Sequence, residues 1–170
     1  MAYEALPQTP SAVDALSSLY HRCFLDAWER TDLNRFLGLP GIETTLALSD
    51  GVPCGFSILS LEPDPADLIG IGVDPDHRRL GVGKALLERC LSQANFAGRA
   101  GITLEVAENN AAAVGLYLSL GFEESGRRPN YYKQRHKNSA KNAVEDALVL
   151  HHSGRSADAP QKRHPMSKGT

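Results

Sequence analysis

Residues 76–90 read DHRRLGVGKALLERC. Arg78 and Arg79 run into Gly81 and Gly83, Lys84 follows, and a helical apolar pattern begins. That arrangement suits an anion. The first N–H groups of a helix have no intrahelical acceptors and carry a partial positive charge. Glycines there let a phosphate come close to the backbone, and the three bases add charge around it. The same composition also suits a glycine-bearing loop with solvated bases, and the residues alone leave both readings open. Two other phosphate motifs do not fit. A P-loop, G-x-x-x-x-G-K-[ST], needs glycine where Arg78 stands and Ser or Thr where Ala85 stands. A dinucleotide fingerprint starting at Gly70 puts Pro75 in the place of its third glycine.

No metal is expected. His21, His77, His136, His151, His152 and His164 show no ligand spacing, and Cys23, Cys54 and Cys90 lie far apart in apolar contexts. The cysteines form neither a disulfide framework nor a zinc pattern, which fits a reducing cytoplasm. With 170 residues, 42% of them hydrophobic, and a net charge of -2, the chain has the composition of one soluble domain. That charge argues against a dedicated DNA binder. The start MAYEALPQTP has no basic region and no long apolar run, so no signal peptide or membrane span is expected.

The elements around the glycines alternate strand and helix. Thr9-Pro10 is a helix-start signal, followed at helical spacing by Val13, Leu16, Tyr20, Cys23 and Phe24. A shorter helix is expected from Asp32 to Leu37, ended by Gly38 and Pro40. TTLALSDGVPCGFSILSL reads as a hairpin turning at Ser49–Pro53, and DLIGIGV as a strand closed by Asp74-Pro75. Val82, Leu86, Leu87, Cys90, Leu91 and Ala94 form the apolar side of the next helix. GITLEV is a buried strand, NAAAVGLYLSL a short helix, GFEE a strand start and DALVL a final strand. DLIGIGV, the helix and GITLEV imply a parallel strand pair. Residues 127–141 hold six bases (Arg127, Arg128, Lys133, Arg135, Lys137, Lys141) and no Asp or Glu. Residues 151–170 hold one sizeable apolar residue, Met166, and are expected to form a disordered tail after a domain of residues 1–150.

R-x-x-G-x-G, formed by Arg78, Gly81 and Gly83 between a strand and an amphipathic helix, resembles the acetyl-CoA pyrophosphate motif of the GNAT superfamily of N-acetyltransferases. The resemblance continues through IGVDPDHRRLGVGKALLERC, LEVAENNAAAVGLYLSLGF, NYY and EDALVL, and is similar in particular to the RimI-like ribosomal-protein-alanine branch. It covers Asp67–Leu150 strongly. It implies an α/β fold, a mixed central sheet with splayed parallel strands and flanking helices. It also implies backbone N–H groups of Arg79, Leu80, Gly81, Val82, Gly83, Lys84 and Ala85 on the pyrophosphate, with Arg78 beside them. Ile71 and Val73 would pair with the pantetheine arm, which Asn110 would also contact. The Val73 N–H would polarise the thioester carbonyl. Glu105 aligns with the general base and Tyr117 with the general acid. Taken alone, Glu105 also suits a strand-end carboxylate facing water, and Tyr117 plain core.

The chemistry needs both groups. An amine attacks a thioester only when unprotonated, and the expelled thiolate needs a proton. Glu105, among Leu104 and Val106, is expected to be tuned by burial. The resemblance implies a protein or peptide N-terminus as acceptor, such as that of a ribosomal protein. Energetics agree: at pH 7, deprotonating an α-amine costs roughly 1.2 kcal/mol and a lysine roughly 4.6 kcal/mol. Small-amine or lysine acetylation, and a non-catalytic acyl-CoA-binding module, are the alternatives. A monomer is expected rather than an obligate oligomer. Two departures from the branch stand out: Gly72 where alanine is usual, and a longer, basic stretch after NYY.

Overall fold

A computed structural model describes residues 1–7, 9–24, 27–134 and 143–154. Strand β1 (Ala2–Ala5) is followed by helices α1 (Pro10–Cys23) and α2 (Arg30–Leu37). Strands β2 (Ile42–Ser49), β3 (Val52–Ser60) and β4 (Ala66–Val73) lead into a 3-10 turn, Pro75–His77. Helix α3 (Val82–Phe96), strand β5 (Gly101–Ala107), helix α4 (Ala111–Ser119) and strands β6 (Glu123–Gln134) and β7 (Ala143–Ser153) complete the fold.

Local chemistry accounts for most boundaries. Thr9 caps α1, its hydroxyl accepting from the Ala12 N–H at 3.3 Å, with Pro10 at the first helical position. The β2–β3 hairpin turns on Asp50 and Gly51, both left-handed at φ 51 and 81, as a two-residue type I′ turn requires. The seven strands form one mixed sheet in the order β1-β2-β3-β4-β5-β7-β6. β4 and β5 are parallel, and the other neighbours are antiparallel.

Helices cover both faces. Leu16, Leu19 and Tyr20 of α1 and Leu33 and Leu37 of α2 pack on Leu46, Phe56 and Ile58. Leu87 and Cys90 of α3, with Tyr117 of α4, pack on Leu59, Leu68, Ile102, Leu104, Leu148 and Leu150 on the other face. Gly55 of β3 lets α3 sit close. A Cβ there would lie 2.9 Å from Val82 Cγ1 and 3.2 Å from Leu86 Cδ1. This close approach holds the start of α3 against the sheet beside the end of β4.

Three expectations change. The N-terminal stretch forms an edge strand, Ala2–Ala5 pairing with Thr45–Leu48, where no strand was read. Much of the stretch taken as a basic loop is the second half of β6; residues 135–142, with Arg135, Lys137 and Lys141, lie outside the described residues. The domain does not stop at Leu150. β7 runs to Ser153, with His151, His152 and Ser153 opposite Thr103, Ile102 and Gly101. These residues pair through their backbones and through the His152 ring, 5.2 Å from Phe122, so the lack of aliphatics was no guide to order. Residues 155–170 of the expected tail lie outside the described residues. No described helix is long and apolar enough to cross a membrane.

Candidate active site

β4 and β5 pair at only two rungs, Ala66–Ile102 and Asp67–Thr103, and then separate. Just beyond, β4 carries one extra residue, Ile69, because Leu68 faces Leu59 while Gly70 faces Ile58. Such a bulge bends its strand, and here the bend coincides with the splay. Cavities of about 580 and 520 Å³ lie along the gap and share Ile71, Gly72, Val73, Gly83 and Asn110 in their walls.

Backbone alternation decides what faces that gap. The Asp74 N–H donates to the Cys54 carbonyl at 2.9 Å, with Val73 opposite Gly55. Val73 is therefore a non-hydrogen-bonded pair with β3, as is Ile71 opposite Ser57, and both turn their N–H and C=O away from β3. They face the gap, as expected of residues that pair with an extended ligand. The Val73 carbonyl accepts from Arg78 Nε at 3.2 Å, which leaves its N–H toward the gap.

At the far end stands the start of α3. Its N-cap is Gly81 at φ 82, with no side-chain cap on the helix amides. Arg79, also left-handed at φ 66, precedes it. Arg78, Arg79, Gly81, Val82, Gly83 and Lys84 line the 520 Å³ cavity with Asn110. Leu80 and Ala85 are not in that lining, although the expected contact of Leu80 runs through its backbone N–H. The Leu80 side chain is 65% exposed and lies outside the lining. The Ala85 N–H already donates to the Gly81 carbonyl at 3.1 Å, so the donor run ends at Lys84. Asn110 caps α4, its Oδ1 accepting from the Ala113 N–H at 3.2 Å, so the cap fixes its place on the cavity wall.

Glu105 and Tyr117 meet at the other cavity from opposite sides of the sheet. Leu104 and Val106 belong to the core under α3 and α4, so Glu105 between them projects on the α1 face. Tyr117 is buried on α4, its ring 5.8 Å from Phe122. The splayed strands let one group reach the gap from above and the other from below. The surroundings of Glu105 are ionic rather than apolar, contrary to the expectation of burial. Its side chain is 28% exposed and accepts from Arg128 Nη1 at 2.6 Å.

Several residues here had no signal of their own in the sequence. Asp67, half-buried at the last rung, has its carboxyl pushed up by burial and by the Glu105 charge. Tyr20, Cys23 and Phe24 supply the wall from α1. Gly72 is explained by packing, since a Cβ there would lie 2.6 Å from the Phe56 ring and 3.0 Å from Cys23 Sγ. The basic stretch is also partly neutralised: Arg127 pairs with Glu124 and Glu108, and Arg128 with Glu105. Among the described residues, no three His, Cys, Asp or Glu side chains are grouped to hold a metal.

A splayed parallel pair leading to a glycine-bearing helix start defines the acyltransferase architecture, and the family comparison agrees. Residues 13–122 match the Acetyltransferase (GNAT) family, and the chain belongs to it. Among individual proteins it is similar to the [Ribosomal protein bS18]-alanine N-acetyltransferase of Escherichia coli, with 41% identity over 101 residues. That match spans 59% of this chain and 64% of the relative, short of two thirds of its length. The N-alpha-acetyltransferase RimI of Mycobacterium tuberculosis is 35% identical over 112 residues, 64% of this chain and 69% of the relative. The crystal structure of the Escherichia coli ribosomal-protein-S18-alanine N-acetyltransferase superposes with a TM-score of 0.80 at 28% identity, covering 96% of this chain and 98% of that one.

Proposed function

We propose that this protein transfers the acetyl group of acetyl-CoA to the N-terminal α-amine of a protein, with a ribosomal protein as acceptor, in the cytoplasm and as a monomer. The observation that carries the reading is the gap after Asp67, which Ile71 and Val73 face by backbone while Glu105 and Tyr117 line it from opposite sides. The similarity to N-terminal acetyltransferases supports the same acceptor.

Acetyl-CoA suits the residues present. Its pyrophosphate would take the N–H groups from Arg79 to Lys84, with the Arg78, Arg79 and Lys84 side chains around it. The pantetheine amides would pair with the N–H and C=O groups of Ile71 and the Val73 N–H, as an added strand would. The amide NH2 of Asn110 supplies a further donor, its oxygen being engaged in the cap. The acetyl carbonyl would then come to the Val73 N–H, with Glu105 and Tyr117 on either side.

The acceptor nitrogen attacks the thioester carbon, and the carbonyl oxygen takes negative charge that the Val73 N–H stabilises. The nitrogen's proton leaves to Glu105, directly or through water, and the C–S bond breaks as the carbonyl re-forms. The Tyr117 hydroxyl protonates the departing thiolate. An α-amine suits this machinery because a useful fraction is already neutral near pH 7.

The test compares an alanine-starting peptide with the same peptide blocked at its N-terminus and carrying an internal lysine. Faster acetylation of the free α-amine is expected, and preference for the blocked peptide would favour lysine or small-amine acetylation. Tyr117→Phe is expected to lower kcat by about 10²-fold, with acetyl-CoA affinity retained. Wild-type rates in both Tyr117→Phe and Glu105→Gln would remove the assigned roles.

A further inference from the structure

β6 is built irregularly where it passes Glu105. Arg128 faces Ala147 and Tyr132 faces Glu145, so β6 has two more residues than β7 over that interval. Asn130 takes the turn at φ 57, and its N–H donates to Asp146 Oδ1 at 2.9 Å. In a regular strand, residues three apart point to opposite faces. Here the bulge brings Arg128 and Tyr131 together, the guanidinium carbon 4.6 Å from the centre of the tyrosine ring. Both side chains converge on Glu105. Arg128 Nη1 donates to its Oε1 at 2.6 Å. The Tyr131 hydroxyl also hydrogen-bonds to Glu105, and that bond, followed by the carboxylate's charge, pushes the phenol pKa up and keeps it a donor.

We propose that Arg128 and Tyr131 are positioning residues that hold the Glu105 carboxylate in one rotamer at the mouth of the gap. The inference rests on the reading of Glu105 as the group that takes the acceptor's proton. A glutamate side chain has three rotatable bonds, and a base loses much of its advantage when it is not fixed against the reacting atom. Two donors from β6 remove that freedom. An ionised carboxylate accepts at about four lone-pair positions, so two donors do not saturate it. The neighbouring Arg127 turns to Glu124 and Glu108 and takes no part.

The test is a set of variants assayed for kcat on an alanine-starting peptide, with acetyl-CoA affinity and Tm measured alongside. Arg128→Ala is expected to lower kcat roughly ten- to a hundred-fold, the scale of a misplaced catalytic group. Its acetyl-CoA affinity should hold, because the clamp stands away from the α3 start. Tyr131→Phe, which removes one hydroxyl and keeps the ring, should lower kcat severalfold. Arg128→Lys should recover part of the loss, having an ammonium that can donate to the carboxylate but no planar group to stack. Arg127→Ala should match the wild type. The deciding variant is Glu105→Gln combined with Arg128→Ala, expected to be no slower than Glu105→Gln alone, since residues acting through one group are not additive. Multiplying losses in that double variant, or wild-type kcat in both Arg128→Ala and Tyr131→Phe while Glu105→Gln is impaired, would overturn the clamp alone. A Glu105→Gln enzyme at full rate would overturn the underlying reading and the clamp with it.

Discussion

Gly81 and Gly83 stand two residues apart at the start of α3, and replacing each by alanine should have opposite effects on stability. Gly81 has φ 82, and a Cβ there would meet nothing within 4 Å. The cost of Gly81→Ala is therefore conformational, about 1–2 kcal/mol for a left-handed L-residue. Gly83 is helical, and its Cβ would lie 3.4 Å from Leu116 Cδ2 and 3.5 Å from Val73 Cγ2, ordinary contact. Alanine is the better helix former by at most about 1 kcal/mol, and by less in a first turn. For a chain of this size 1 kcal/mol moves Tm by roughly 2–4 °C. Gly81→Ala should thus lower the Tm of the free protein by about 2–8 °C, while Gly83→Ala should leave it unchanged or raise it by about 1–2 °C. By calorimetry, Gly83→Glu should not bind acetyl-CoA. A folded Gly83→Glu protein with unchanged affinity would show that the pyrophosphate lies elsewhere. A destabilised Gly83→Ala would refute the helix argument.

Three further outcomes are expected. Ending the chain after Leu150 rather than Gly154 removes the two bonds of the Ile102–His152 pair and the 2.7 Å bond from the Gly154 N–H to the Ala100 carbonyl, and uncovers Phe122. The loss should be about 3 kcal/mol, or roughly 6–12 °C in Tm, and equal melting of the two chains would show that the end of β7 contributes nothing. Gly72→Ala should destabilise by about 1–3 kcal/mol, because its methyl group meets the Phe56 ring and Cys23; a wild-type denaturation midpoint would contradict this. Burial pushes the Cys23 thiol up to about 11, so alkylation near pH 7.5 should be slow, rise steeply with pH and be blocked by acetyl-CoA. Rapid labelling at neutral pH, followed by peptide mass spectrometry, would refute it.

Most elements were legible because their signals are local. Thr9-Pro10 caps its own helix, Asp50-Gly51 supplies its own left-handed turn, and the apolar spacing of α3 follows from its period. β1 was not, since a four-residue edge strand is defined by the partner it pairs with. The end of β7 was missed for the same reason: His151 and His152 are ordered by Thr103, Ile102 and Phe122, all distant in sequence. The site divides along the same line. The glycines and bases at the start of α3 and the Asn110 cap of α4 each belong to one backbone turn or helix end, so a short pattern announces them.

By itself the sequence determined the alternation of strand and helix, the glycine-bearing start of α3, and the residue types that an acyl transfer requires. The tertiary structure alone decided how those residues meet. The separation of β4 from β5 coincides with a bulge at Ile69, which shows only in the register against β3. That separation lets Tyr117 and Glu105 line one cavity from opposite faces of a sheet. The ionic surroundings of Glu105 come from Arg128 and Tyr131, which lie 23 residues or more along the chain and reach it across β7. A carboxylate's environment is set by what other strands deliver to it. Cross-strand register is a property of the folded sheet and of no single segment.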